Sequence, residues 1–155
     1  MVEVLVTGDR YRLLWLQLDL EAQQFLRAQP RRHRVHDGLA KADRIAHHAT
    51  LWFTGTGASG AEAAEIYSPG ARLAAHPIGI ASDERAEALV VEIAGQRFQY
   101  GSQRLLHITL SLAPGIEAKD SVRLLAERPL LTPVGWRKLP GIVMGVLPEA
   151  PPPAE

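Results

Sequence analysis

Between Leu106 and Leu112 apolar and polar residues alternate without a break: Leu106, Ile108, Leu110 and Leu112 against His107, Thr109 and Ser111. A two-residue period sends alternate side chains to opposite faces of a β-strand. The first set is a core face; the second presents an imidazole and two hydroxyls side by side. The form His-x-Thr-Leu also occurs upstream, at His48-Ala49-Thr50-Leu51. There the alternation puts Ala49, Leu51 and Phe53 on one face and His48, Thr50 and Trp52 on the other. The two histidines are spaced as if each held the same place in one of two similar halves.

The rest of the chain reads as short elements. Val2–Val6 is an apolar run ended by a turn at Thr7-Gly8-Asp9. Tyr11–Leu20 predicts a strand, and Asp19 offers an N-cap to a helix that runs through Arg27 and stops at Pro30. A basic segment, Arg31–Gly38, reads as a loop, and Ala42–Thr54 as the first motif strand. After the loop Gly55–Gly60, residues 61–67 stay open: Ala and Glu favour helix, but Tyr67-Ser68-Pro69-Gly70 cuts the segment short. Leu73–Ala81 and Ala88–Ile93 predict strands, separated by a turn at Ser82-Asp83-Glu84 and followed by another at Gly95. The second motif strand starts near Arg104 and breaks at Pro114-Gly115. Asp120 or Ser121 caps a helix over Val122–Ala126, and Gly141–Leu147 is a last strand. Residues 148–155 form a Pro-rich tail expected to be disordered. Short connections favour antiparallel pairing. The expectation is one α+β domain over residues 1–147, with two pseudo-symmetric lobes of mostly antiparallel strands, flanking helices and a central cleft.

Bulk properties narrow the function classes. A chain of 155 residues, 46% hydrophobic and 22% charged, has the size and composition of one soluble globular domain. Lys+Arg and Asp+Glu balance at 17 each, so no net field draws it to nucleic acid or membrane at large. That leaves room for a site gripping one or two phosphates. The absence of cysteine excludes disulfides, thiolate metal sites and a cysteine nucleophile. Charged residues at Glu3, Asp9, Arg10 and Arg12 break the N-terminal apolar run, which therefore reads as neither signal peptide nor membrane span. A cytoplasmic enzyme or binding domain, monomeric and away from membranes, is the expectation.

Two histidines in matched settings suggest proton-transfer chemistry, because imidazole is the side chain that titrates nearest neutral pH. Placed on either side of a phosphoester, one would take a proton from attacking water while the other protonates the departing oxygen. A threonine two positions along shares the histidine's face, and its hydroxyl can donate to a nonbridging phosphate oxygen. Such a scheme calls for no metal and no cofactor.

The paired motifs His48-Ala49-Thr50-Leu51 and His107-Ile108-Thr109-Leu110 resemble those of the two-histidine (2H) phosphoesterase superfamily. Its members include 2′,3′-cyclic nucleotide phosphodiesterases, RNA 2′-5′ ligase-like proteins and the phosphodiesterase domains of tRNA ligases. His47 before the first motif, the approach to Leu89-Val90-Val91, Ser121 opening a helix and Gly141-Ile142-Val143 opening the final strand are similar to the tRNA-ligase and RNA-repair branch. The resemblance runs from about Tyr11 to Leu147. It implies a bilobal fold with both motifs in a central cleft, acting on RNA or a nucleotide with a cyclic phosphate end. It also implies that His48 and His107 are the acid/base pair and that Thr50 and Thr109 bind phosphate. Ligation, the reverse reaction, and a catalytically silent binder of nucleotide or RNA ends would use the same residues.

Other polar groups are weighed against plainer roles. Arg31, Arg32 and Arg34, with His33 and His36, form either an RNA-phosphate loop or a solvated charge run. Trp52 either stacks a base from the motif face or packs between sheet and helix. His47 shares the alternation of Ala49 and belongs to the core side or a lobe edge, and His76 before Pro77 is structural. No His-x-x-x-His or His-Glu-x-x-His pattern points to a metal site.

Overall fold

A computed structural model of the chain describes residues 11–30, 32, 45–54, 59–117 and 120–146. The run Val2–Val6, most of the basic segment after Pro30 and the Pro-rich residues 148–155 lie outside them. In order, the elements are β1 (Leu13–Leu18), α1 (Leu20–Arg27), β2 (His48–Phe53), α2 (Gly60–Ile66), β3 (Arg72–Ser82), β4 (Ala86–Ile93), β5 (His107–Leu112), α3 (Asp120–Ala126), β6 (Thr132–Pro133) and β7 (Leu139–Val146).

Local chemistry accounts for the boundaries. Asp19 holds the N-cap position of α1, but its side chain makes no cap bond and instead binds Arg72 of β3 through both oxygens. The open segment after residue 60 is helical. Ser59 accepts from the Glu62 backbone at 3.1 Å while the Glu62 carboxylate reaches back to the Ser59 N–H, a complete capping box. At the end of β4, Ala94 and Gly95 both have positive φ, and Ile93 and Gln96 exchange two 2.9 Å bonds around them. This is a two-residue hairpin loop whose twist suits the strands. Asp120 opens α3, its carboxylate accepting from the Glu117 N–H and from Arg123, both at 3.1 Å.

All strand pairings are antiparallel. The order β4-β5-β2-β1-β7-β3 closes on itself through β3–β4, giving a barrel-like α+β fold. The long β3 serves β4 on one edge and β7, then β6, on the other. The motif strands β2 and β5 are therefore direct neighbours in one continuous sheet. The two-residue β6 is an element the sequence pattern does not announce.

One row of residues crosses the sheet from strand to strand: Val143, Leu16, Ala49, Ile108 and Leu89. All five are fully buried and belong to the main hydrophobic cluster, which Ala22 and Leu26 of α1, Ala63 of α2 and Leu124 and Leu125 of α3 also join. At roughly 25 cal/mol per Å² of apolar surface removed from water, this layer is the chief stabilising contribution. It is also the floor on which the motif residues stand.

Candidate active site

The two motifs meet at a single ladder pair, Ala49 opposite Ile108. An antiparallel ladder has a local two-fold axis through such a pair. Here that axis carries His48 onto His107 and Thr50 onto Thr109. By the same register His48 faces Thr109 across the strands and Thr50 faces His107, so all four side chains lie on one face around the pair. The histidines are diagonal neighbours, a relation that spans about 7–8 Å between strands. Each of the four is at most 6% exposed. On the flanking strands His48 stands beside Gln17 and Thr50 beside Trp15, while Thr109 stands beside Ala88 and His107 beside Val90.

The seam is short. Beyond the pair, the Leu51 carbonyl accepts instead from the Tyr100 N–H at 2.8 Å. On the other side the Ala46 N–H donates to the Thr109 carbonyl at 2.8 Å, from a backbone at φ 57°. The strand-like symmetry does not extend to the helices: α1 joins β1 to β2, whereas β4 and β5 are joined by residues 94–106 without a helix.

A break in alternation corrects the reading of Trp52. Leu14 pairs with Trp52 and Trp15 with Thr50, leaving Leu51 as an unpaired bulge residue. The bulge turns Trp52 toward the apolar face with Leu14, where it is 3% exposed in the main core. Phe53, expected in the core, takes the other face and packs on Leu13 and Trp15. Trp52 therefore serves packing and does not present its ring on the motif face. His47, half-buried just before β2, brings Nδ1 to 3.3 Å from Nδ1 of His48.

The electrostatics of His107 are specific. Its Nδ1–H donates to the Leu105 carbonyl at 2.9 Å. A carbonyl only accepts, so the neutral ring carries its proton on Nδ1 and leaves Nε2 bare. Burial pushes the imidazole below its ordinary value of 6.5, the Leu105 bond opposes that, and the nearby Arg104 charge adds to the lowering. A neutral ring with a free Nε2 is the form that accepts a proton.

Further polar contacts are made by residues of β4, β5 and α3. Thr109 Oγ1 lies 3.0 Å from Ser121 Oγ, the fully buried hydroxyl at the start of α3. Ser111 donates to the buried Glu87 carboxylate at 2.6 Å, and the same oxygen accepts the Arg32 backbone N–H at 2.7 Å. Arg32 thus lies by the Ser111 end of β5, its guanidinium 3.4 Å from Ser82 Oγ, while Arg31 and Arg34 fall outside the described residues. His76 is exposed on β3 opposite Glu92.

A cavity of about 650 Å³ opens beside His107. Arg104, Arg123 and Arg128 line it together with Phe98, Gln103 and Leu125, and no carboxylate does among the described residues. His48, Thr50 and Thr109 are not among its lining residues. The three arginines are scattered along the chain, and no local motif links them; their only early signal is that Arg104 lies just ahead of the second histidine. Among the described residues no group of three or more His, Cys, Asp or Glu is placed to hold a metal ion, and no helix is long and apolar enough to cross a membrane. Comparison with family models, with curated proteins and with solved structures gives no match.

Proposed function

We propose that this chain is a metal-independent phosphodiesterase of the two-histidine type that opens a 2′,3′-cyclic phosphate to a phosphomonoester. The observation that carries the reading is the grouping of His48, Thr50, His107 and Thr109 around the Ala49–Ile108 pair. His107, neutral and bare at Nε2, takes the proton from water as the water oxygen bonds to phosphorus. The bond from phosphorus to one ribose oxygen breaks, and His48 gives that oxygen its proton. The Thr50 and Thr109 hydroxyls donate to the nonbridging oxygens as charge builds on them. In this reading the lobes are β7–β1–β2 and β3–β4–β5, meeting at the motif seam. The resemblance extends the proposal to RNA ends as partner, and the chain's composition extends it to a monomer acting in the cytoplasm.

A silent binder of nucleotide or RNA ends is the second reading. It is favoured by one feature: three of the four motif side chains are buried and do not line the cavity beside His107. Incubation with a nucleoside 2′,3′-cyclic monophosphate in EDTA separates the two. Release of a 2′- or 3′-monophosphate supports the enzyme, and its phosphate position identifies the oxygen that His48 protonates. Binding with no product after long incubation selects the silent module.

A further inference from the structure

We infer that the cavity beside His107 is a nucleotide-binding subsite, holding a phosphate on Arg104, Arg123 and Arg128 and a base against Phe98. The ligand class rests on the phosphoester reading of His107; the cavity and its charge do not. Its volume of about 650 Å³ lies within the range of roughly 300–1,000 Å³ common to small-molecule sites. Its chemistry is one-sided: three guanidiniums, an imidazole and the Gln103 amide against apolar walls, with no carboxylate among the described residues that line it. Guanidiniums bind phosphate through paired hydrogen bonds. Phe98 is 46% exposed and is the one benzene-type ring among the described residues that line the cavity. Exposed aromatic faces are where nucleobases stack.

Arg128 adds an independent argument. It follows α3 with φ 51°, and its N–H bonds to the Leu125 carbonyl at 3.0 Å. This is the position after a helix that ordinarily belongs to glycine, because a Cβ is crowded in that conformation. Non-glycine residues held in such a conformation gather at functional sites. Arg104 is already oriented by Phe53, its guanidinium carbon 4.7 Å from the ring centre, and Arg123 by Asp120 at 3.1 Å. Two cations are thus held by neighbours within the fold, and the third is kept at a backbone cost.

The test is equilibrium binding of adenosine 3′-monophosphate, adenosine and inorganic phosphate, by calorimetry, to the full chain. Asparagine tolerates positive φ, so Arg128→Asn removes the charge without disturbing the turn. Arg128→Asn should weaken the nucleotide about ten-fold and leave adenosine unchanged. Phe98→Ala should weaken nucleotide and adenosine alike and leave inorganic phosphate unchanged. No binding of the nucleotide, or wild-type affinity in both variants, overturns the subsite. Nucleotide binding lost in these variants, with no turnover of a cyclic phosphate by the wild type, keeps the subsite and removes the phosphodiesterase. Cyclic phosphate turnover that neither variant alters keeps the enzyme and removes the subsite.

Discussion

Leu51 and Leu110 hold the same place in two β-bulges: each is the unpaired residue directly after the threonine of its His-x-Thr-Leu motif. A bulge bends its strand and resets which face the following residues take. Because both strands turn at the same motif position, the two His-x-Thr segments keep matching orientations about the Ala49–Ile108 pair although their flanking connections differ. The leucines are 0% and 6% exposed. Leu51→Ala and Leu110→Ala should each cost about 3 kcal/mol of stability, read from urea denaturation. A variant unfolding at the wild-type midpoint would take that leucine out of the packed layer.

The lowered proton affinity of His107 makes stability depend on pH. In the unfolded chain the ring takes up a proton as pH falls through about 6.5; in the fold, burial delays that uptake to lower pH. The unfolded state then binds more protons, so stability declines as pH falls from 6.5 and levels off below the folded value. The slope from this one group is at most about 1.4 kcal/mol per pH unit. His107→Gln should flatten the decline in urea titrations between pH 7.5 and 5. Equal slopes in variant and wild type would mean that the folded ring takes up its proton as readily as the unfolded one.

Glu87 ties β4 to β5 and to Arg32 through one carboxylate oxygen. Glu87→Leu leaves the buried Ser111 hydroxyl without its acceptor and should cost about 2–3 kcal/mol. Glu87→Gln, which keeps an acceptor oxygen, should cost roughly half as much. Thermal unfolding of the pair checks the order; a leucine variant as stable as the glutamine variant would contradict it.

Glycines 141 and 135 should respond in opposite ways. A Cβ at Gly141 would sit 2.5 Å from the Gln17 carbonyl oxygen across the β1–β7 ladder, where only backbone could yield. Gly141→Ala should therefore destabilise by about 2–3 kcal/mol. Gly135 has open space at the same position, and Gly135→Ala should be neutral or stabilising by up to about 1 kcal/mol through the unfolded chain. Urea midpoints of the two variants decide this, and a tolerated Gly141→Ala would mean that the β1–β7 ladder can separate.

Much of the fold is written locally. The alternation from Leu106 to Leu112, the β-branched run in β4 and the Asp19 boundary of α1 all predict elements where they stand. The helix after Gly60 was also legible, since Ser59 and Glu62 have the capping-box spacing, but helix propensity alone leaves it open. Ring closure through β3–β4 and the neighbouring of β2 and β5 depend on pairings between distant segments, which no local period encodes. The same holds for Trp52: a bulge set by its pairing with β1 inverts the face that alternation assigns. The histidines and threonines were visible as a repeated motif. The arginines at 104, 123 and 128 were not, because only packing of α3 on β4 and β3 brings them to one cavity.

The most direct measurement is turnover of an oligonucleotide ending in a 2′,3′-cyclic phosphate, in EDTA, by wild type, His48→Ala and His107→Ala. The account predicts a phosphomonoester product from the wild type and a loss of about 10²–10⁴-fold in either variant, with both variants folded by circular dichroism. Wild-type rates in either folded variant, or no turnover by the wild type, would contradict it.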